Sequence, residues 1–101
     1  PIKVAVFPLL KNKNELVTKA RSVFEGLQKE FDGVVFDDNG NIGKRYRRQD
    51  EIGTPFCITV DFDTLTDDTV TVRNRDNGEQ ERIKVEDIKQ FVSKKLDVTL
   101  P

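Results

Sequence analysis

Positive charge is concentrated in one short stretch of this chain, residues 42–53. The stretch holds four of the seventeen lysines and arginines in the 101-residue sequence, namely Lys44, Arg45, Arg47 and Arg48. The formal net charge of the whole chain is −1, so the rest of the sequence is more acidic than this segment. A local cation cluster in a slightly acidic domain indicates a site for one piece of an anionic polymer.

The cations of this segment are spaced as on a short helix. Lys44 and Arg48 stand at i and i+4, so a helix directs them to the same side. We expect Lys44, Arg45 and Arg48 to contact phosphates or bases, because phosphate binding needs charge and reach more than exact geometry. Ile42 and Tyr46 would instead face the core. The alternative is a solvated charged helix that binds nothing.

Carboxylate, aromatic and guanidinium side chains also gather around two predicted strands. Asp61, Phe62 and Asp63 follow an apolar strand, and Arg73 and Arg75 alternate on one face of the next. Carboxylates accept from base amines, arginines donate to base acceptors, and aromatic rings stack on unpaired bases. We expect these five residues to meet near one edge of the sheet and to contact nucleotides. The residues alone favour the alternative, in which the carboxylates and arginines pair with each other.

Composition excludes several other kinds of site. Histidine is absent and Cys57 is the single cysteine, which removes the commonest general base, the commonest metal ligand and any internal disulfide. We therefore expect a non-catalytic domain with no cofactor or metal of its own. No apolar run approaches the roughly 18 residues of a membrane span, and a lone cysteine fits a reducing compartment, so we expect a cytoplasmic protein without a membrane partner. Because the chain opens on Pro1, we expect a piece of a longer protein.

Apolar periodicity predicts an alternating order of strands and helices. A first strand at residues 2–7 precedes a helix whose apolar stripe begins at Leu16, with a cap at Asn12 and an end at Gly33. The order β-α-β-α-β-β-β-α predicts a mixed, five-stranded sheet with helices on both faces. The remaining strands are expected at residues 34–36, 56–61, 69–75 and 80–85, with a short helix over the basic segment and a last helix from residue 85.

Three segments of the chain resemble a known family. The segment Gly43–Asp63 and the segment Thr69–Asp76, with Gln80 and Arg82 after it, resemble the C-terminal anticodon-binding domain of glycyl-tRNA synthetase, a class II aminoacyl-tRNA synthetase. The opening Lys3–Leu9 is similar to that domain and also to its counterparts in the threonine, histidine and proline enzymes. The resemblance covers nearly the whole chain, and its middle segment is specific to the glycine enzyme.

The resemblance implies a fold and a function. It implies one anticodon-binding domain over residues 1–101, with three α/β/α layers, three helices and a sheet in the order 2-1-3-4-5 with one antiparallel strand. It implies recognition of the anticodon loop of glycine tRNA, whose second and third anticodon bases are cytosines. With the resemblance, base readout by Asp61, Asp63, Arg73 and Arg75 becomes the favoured interpretation.

The resemblance also implies a larger enzyme around this domain. A class II catalytic domain of the same polypeptide would bind ATP, glycine and magnesium, and the full-length ligase would be a homodimer. The alternative is an accessory module that keeps this fold but binds another protein and no tRNA.

Overall fold

The sheet is mixed and has the predicted order. The structure, a computed structural model, describes residues 2–96, and within them five strands pair in the order β2-β1-β3-β4-β5. Strand β1 pairs in parallel with β2 and with β3, whereas β4 is antiparallel to both of its neighbours, so one strand opposes the other four. The strands are β1 (Val4–Pro8), β2 (Val34–Phe36), β3 (Phe56–Val60), β4 (Thr69–Asn74) and β5 (Gln80–Lys84).

Four α-helices occur in residues 2–96, one more than predicted. They are α1 (Asn14–Gln28), α2 (Ile42–Ile52), α3 (Phe62–Asp67) and α4 (Ile88–Leu96), with a 3₁₀ turn at Val85–Asp87 before the last. The missed helix, α3, has six residues, too few for an apolar stripe to show in the sequence. It is held instead by a capping box, in which the Asp61 side chain accepts from the Thr64 amide and the Thr64 hydroxyl accepts from the Asp61 amide.

Both predicted ends of the first helix were wrong. Helix α1 begins at Asn14, and Lys13 stands at the cap position without a side-chain hydrogen bond, so Asn12 is not the cap. The helix ends at Gln28, and Gly33 instead ends the following turn with φ 75°, a conformation that favours glycine. The carbonyl of Gly33 then accepts from the Lys3 amide at 2.7 Å, which sets the entry into β2.

The two faces of the sheet are covered unequally. Helices α1 and α4 pack on one face, where alternate residues of β1, β3 and β4 form the main core, including Val6, Ile58 and Val70. On the opposite face α2 places Ile42 and Tyr46 over Ala5, Phe7 and Cys57 of β1 and β3. The same face of β4 and β5 carries polar side chains that are half-buried or exposed: Thr69, Thr71, Arg73, Gln80, Arg82 and Lys84. We call these six residues and the strands that carry them the open face.

Candidate nucleic-acid interface

A carboxylate–guanidinium pair lies at one end of the open face. The Arg82 guanidinium donates to a carboxylate oxygen of Asp61, to the Thr69 hydroxyl at 2.9 Å and to the Thr71 hydroxyl at 3.2 Å. Asp63 also lies within 3.9 Å of it. Arg82 is 35% exposed and Asp61 is 19% exposed, so the pair is held in place and still reached from solvent.

Each member of this pair favours the charged state of the other. Partial burial alone would raise the pKa of Asp61, but hydrogen bonds from Arg82 and from the Thr64 amide hold that pKa below its ordinary value. The hydrogen bond to Asp61 raises the pKa of Arg82. At neutral pH this site therefore presents a carboxylate acceptor next to guanidinium donors.

A second carboxylate–guanidinium pair lies further along the same face. Arg73 donates to both carboxylate oxygens of Asp50, at 2.9 and 3.3 Å, and this bond raises its pKa. The guanidinium also lies 5.1 Å from the centre of the Tyr46 ring, and the Tyr46 hydroxyl meets the Thr59 hydroxyl oxygen at 2.6 Å. Arg75, 43% exposed, donates from Nε to the main-chain oxygen of Asp50 at 3.0 Å.

The prediction that Arg73 and Arg75 meet the Asp61–Asp63 segment was wrong. The register pairs Arg73 with Cys57, and the Arg75 amide donates to the Pro55 carbonyl, so both arginines lie at the opposite end of β3 from Asp61. Four residues of strand separate Cys57 from Asp61, roughly 13 Å at about 3.3 Å per residue. In an antiparallel pair, the residues next to the connecting segment lie opposite each other. Thr69, at the start of β4, therefore lies beside the Asp61–Asp63 segment, and the arginines of β4 do not.

Helix α2 divides the three predicted cationic contacts. Lys44 is exposed in the first turn of the helix, where the Asn41 side chain caps its amide at 2.9 Å. Arg48 is 36% exposed but makes two hydrogen bonds to Asp37, at 2.7 and 2.6 Å. Lys44 remains accessible to a phosphate, whereas the guanidinium of Arg48 is partly occupied by Asp37.

Arg45, by contrast, belongs to the interior. It is 1% exposed, and its guanidinium donates to the carbonyl of Pro8 and, at 3.2 Å, to the carbonyl of Gly40. Burial lowers its pKa, although Asp37 and Asp38 oppose that shift. The expectation that Arg45 contacts a phosphate does not fit this burial. The sequence showed only a cation in a basic run, and its role as a tie between β1 and the start of α2 arises from the fold.

A buried polar network fixes the segment between β2 and α2. The Asp37 carboxylate accepts hydrogen bonds from Arg48 and, at 3.1 Å, from the side-chain amide of Gln49. The side-chain oxygen of Gln49 in turn accepts from the Thr54 hydroxyl at 2.7 Å. Burial would raise the pKa of Asp37, but the hydrogen bonds from Arg48, the Asn39 amide and Gln49 hold it below the ordinary value. The network gives α2 a fixed position at the edge of the open face.

Phe62 and Asp63 are placed where a ligand can reach them. Phe62 is 49% exposed at the start of α3 and lines a cavity of about 410 Å³ with residues 12–15. Asp63 is 74% exposed. Both follow directly from Asp61, so the carboxyl end of β3 carries an acceptor pair with an aromatic surface beside it.

Three residues of the interface were missed as site residues. In the sequence Arg82 stands out only as part of the family resemblance, Tyr46 is predicted to be a core residue, and no pattern marks Asp50. Hairpin pairing of β4 with β5 would have placed Arg82 opposite Thr71, on the polar side of the strand. Asp50 and Tyr46 are four residues apart on α2, so they share the side of the helix that faces Arg73.

Two other classes of site find no support in residues 2–96. In that part of the chain no cluster of three or more histidine, cysteine, aspartate or glutamate side chains is arranged to hold a metal ion. Nor does any helix there have the length and apolar character needed to cross a membrane. Burial raises the pKa of the Cys57 thiol to about 12, so this residue behaves as a small apolar side chain.

Comparison with known proteins agrees with the fold. The family model described as "Anticodon binding domain" matches residues 3–95. The chain is 58% identical over 97 residues to a glycine–tRNA ligase of Clostridium perfringens, and 57% identical over 97 residues to that of Lachnoclostridium phytofermentans. It is 54% identical over 96 residues to the glycine–tRNA ligase of Thermobifida fusca. The expected resemblance to glycyl-tRNA synthetase is thereby confirmed.

These matches cover 95–96% of this chain but 20% of each ligase, so the chain spans about a fifth of the length of these relatives. The family match, by contrast, extends over all five described strands and reaches into the last turn of α4. The strand order 2-1-3-4-5 and the single opposing strand are the architecture that the resemblance implied. The chain therefore belongs to the anticodon binding domain family.

Proposed function

We propose that this domain is part of a glycine–tRNA ligase and recognises the anticodon loop of glycine tRNA through the open face. The observation that carries the proposal is the Asp61–Arg82 pair, charged, accessible and fixed by two threonine hydroxyls. The family and the glycine–tRNA ligases to which the chain is similar support the choice of RNA. The domain itself contributes recognition and no chemical step.

The chemistry of the pair suits cytosine. A cytosine edge offers an N4 amine donor beside the N3 and O2 acceptors. A carboxylate accepts the amine hydrogen while an adjacent guanidinium donates to the acceptors, so Asp61 and Arg82 present the complementary order of groups. Guanine presents acceptor and donors in the reverse order. It would set its O6 against the carboxylate and its N–H groups against the guanidinium.

The second carboxylate–guanidinium pair gives the domain a site that recognises a second cytosine. Arg73 and Asp50 repeat the arginine–aspartate arrangement, with the Tyr46 ring beneath the guanidinium. Arg82 stands opposite Thr71, two residues along β4 from Arg73, an offset of roughly 7 Å at about 3.4 Å per residue. Glycine codons begin with two guanines, so the anticodon carries two adjacent cytosines, one for each pair.

The cations that are not members of these pairs supply affinity without sequence preference. Lys44, Arg48 and Arg75 are placed to contact phosphates around the two bases, and such contacts set register rather than specificity. Phe62, half exposed beside Asp61, offers a surface on which a base stacks. Asp63 adds a second acceptor close to Arg82.

Titration with anticodon stem-loops tests the proposal. The unmodified domain is titrated with the glycine stem-loop and with loops in which either cytosine is replaced by guanine or uracil, at two salt concentrations. We expect each replacement to weaken binding by about 1–3 kcal/mol, and the preference to persist as salt rises. Equal affinity for all loops, falling together with salt, would contradict base recognition.

The rest of the enzyme follows from the same proposal. A catalytic domain of the same polypeptide would bind ATP, glycine and magnesium, and the full-length ligase would be a cytoplasmic homodimer. The alternative, a protein-docking module that has lost tRNA binding, gains no support from the three glycine–tRNA ligases to which the chain is similar. The stem-loop titration separates the two, since the alternative requires no preference for cytosine.

A further inference from the structure

A two-part groove runs over the carboxyl ends of β1 and β3, beside the Asp61–Arg82 pair. Its first part is the cavity of about 410 Å³ between Phe62 and residues 12–15. Its second part, about 380 Å³, lies between the segment that follows β1 and the start of α2, lined by residues 9–12, residues 40–42 and Arg45. Asn12 lines both parts, so the two cavities adjoin. We call them together the switch groove.

The topology of the sheet opens this groove. Helix α1 leaves β1 toward one face, whereas α2, which follows β2, packs on the other. In the order 2-1-3-4-5 the direction of the connections reverses between β1 and β3, and open α/β sheets bind ligands outside the carboxyl ends of the strands at that point. The floor is held by Arg45, which ties the Pro8 carbonyl to the Gly40 carbonyl. The groove is thus preformed by buried hydrogen bonds.

The second part of the switch groove has mainly apolar, accessible walls, whereas polar side chains and Phe62 line the first part. Leu10 is 40% exposed in one part and Phe62 is 49% exposed in the other, although both side chains are large and apolar. Single exposed leucines are ordinary, but two large apolar side chains along one concave track with polar groups beside them are typical of a ligand site. Ile42, half-buried, completes the wall opposite Leu10.

The rim of the groove is cationic. Lys11, Lys13 and Lys44 are exposed along it, against one lining carboxylate, Glu15. A β-carbon built on Gly40, which lines the groove, would lie 3.5 Å from the Lys44 side chain, so the lysine stem passes directly beside the opening. An apolar slot of this volume with ammonium groups at its edge matches a flat base attached to a phosphodiester.

We infer that the switch groove binds a third, unpaired nucleotide of the same anticodon loop, splayed away from the two cytosines. This inference rests on the proposed function and adds a subsite to it. The base lies between Leu10 and Ile42, Phe62 stacks on the neighbouring base, and Lys11 and Lys44 contact the phosphates. Because Leu10 and Ile42 have no hydrogen-bonding groups in their side chains, the subsite accepts a base by packing and shape rather than by identity.

A pair of matched variants tests this subsite. Leu10→Glu places a carboxylate in the groove, and Leu65→Glu places one on α3 at a leucine of nearly the same exposure, 41%, outside the residues that line the groove. Both are titrated with the glycine anticodon stem-loop after circular dichroism has verified folding. We expect Leu10→Glu to weaken binding about tenfold, as loss of one stacked base does, and Leu65→Glu to change it less than twofold.

A set of anticodon stem-loops completes the test. Each loop carries one abasic residue, at a different position outside the two cytosines. We expect one such loop to bind the unmodified domain about tenfold more weakly and to show little further loss with Leu10→Glu. Equal effects of the two glutamates, or additive losses at every abasic position, would overturn the subsite even if cytosine replacement still weakens binding. If cytosine replacement has no effect on the unmodified domain, the proposed function fails as well.

Discussion

The two faces of the sheet put the same strand alternation to different uses. Under α1 and α4, Val6, Ile58 and Val70 are fully buried, and their contribution is apolar burial. On the other side, α2 packs mainly over β1 and β3, so Arg73 and Arg82 on β4 and β5 keep contact with solvent. A strand face becomes core or binding surface according to whether a helix covers it.

Two arginines make the same contrast at the level of single side chains. Arg45 is enclosed and bonds to main-chain carbonyls, whereas Arg82 bonds to a carboxylate and two hydroxyls on the open face. Both are well partnered, so the presence of partners does not separate a structural arginine from a recognition arginine. The two kinds of arginine differ in their exposure to solvent and in whether a ligand can replace their partners.

Arg45→Ala removes the buried arginine of this comparison and has the largest expected effect, a loss of folding stability. Removal of the buried guanidinium leaves the carbonyls of Pro8 and Gly40 without their donor and a void beside Phe7. We expect the free energy of unfolding to fall by about 3 kcal/mol, measured by urea denaturation. Arg47→Ala, at an exposed position of the same helix, serves as the control and should change it by less than about 0.5 kcal/mol. Equal losses in the two variants would contradict a structural role for Arg45.

Arg82→Ala tests the open side. We expect binding of the glycine stem-loop to weaken by about 2 kcal/mol, because one base loses its donors, while the fold remains intact. Isothermal titration calorimetry measures the first quantity and thermal unfolding the second. Arg21→Ala, an exposed arginine on α1 at the opposite face, should leave affinity within twofold. A large loss of stability without a loss of affinity would make Arg82 a structural residue.

Asp37→Asn tests the buried network beside α2 through the pH dependence of the free energy of unfolding. The folded-state pKa of Asp37 lies below its ordinary value of 3.8, so the folded chain binds fewer protons than the unfolded chain. Its contribution is therefore complete above about pH 5 and is lost as pH falls through 3.8 toward the folded-state pKa. We expect Asp37→Asn to lose about 1–2 kcal/mol at pH 7 and to show a flatter fall in stability below pH 5. The flattening is partial because Asp61 shifts in the same direction.

Asp76→Asn, at an 84% exposed carboxylate, is the matched control for that measurement. It should reproduce the pH profile of the unmodified chain. A profile for Asp37→Asn as steep as that of the unmodified chain would show that the Arg48–Asp37 network does not stabilise the ionised carboxylate.

Lys44→Ala has the smallest expected effect and tests phosphate contact. We expect the slope of log affinity against log salt to fall by about one unit, with no change in the preference for cytosine. Lys94→Ala, on the exposed side of α4, is the control and should leave the slope unchanged. A change in base preference with Lys44→Ala would instead assign the lysine to base contact.

The sequence predicted the architecture better than the site. Apolar periodicity and connection lengths were enough for a mixed, five-stranded sheet and for the α2 segment, whereas the strand order and the single opposing strand came from the family resemblance. Helix α3 was missed because its signal is the local Asp61–Thr64 capping box and not a stripe.

Site residues depend on register and on coverage, which the sequence states only indirectly. Alternation correctly put Arg73 on the polar side of β4, but the hairpin register carried it away from Asp61 and brought Arg82 there. Composition marked Arg45 as a surface cation, and only packing showed it enclosed. Asp61 and Arg73 each form an ion pair, but their partners are Arg82 and Asp50 and not each other.

The most direct test of the account is a matrix of affinities. Arg73→Ala, Arg82→Ala and the unmodified domain are each titrated with the glycine stem-loop and with the two loops that replace one cytosine by guanine. We predict that each variant loses discrimination at a different cytosine, by about 1–3 kcal/mol, and keeps it at the other. Uniform weakening of all three loops by both variants would reduce these arginines to phosphate contacts and contradict recognition of cytosine by the two pairs.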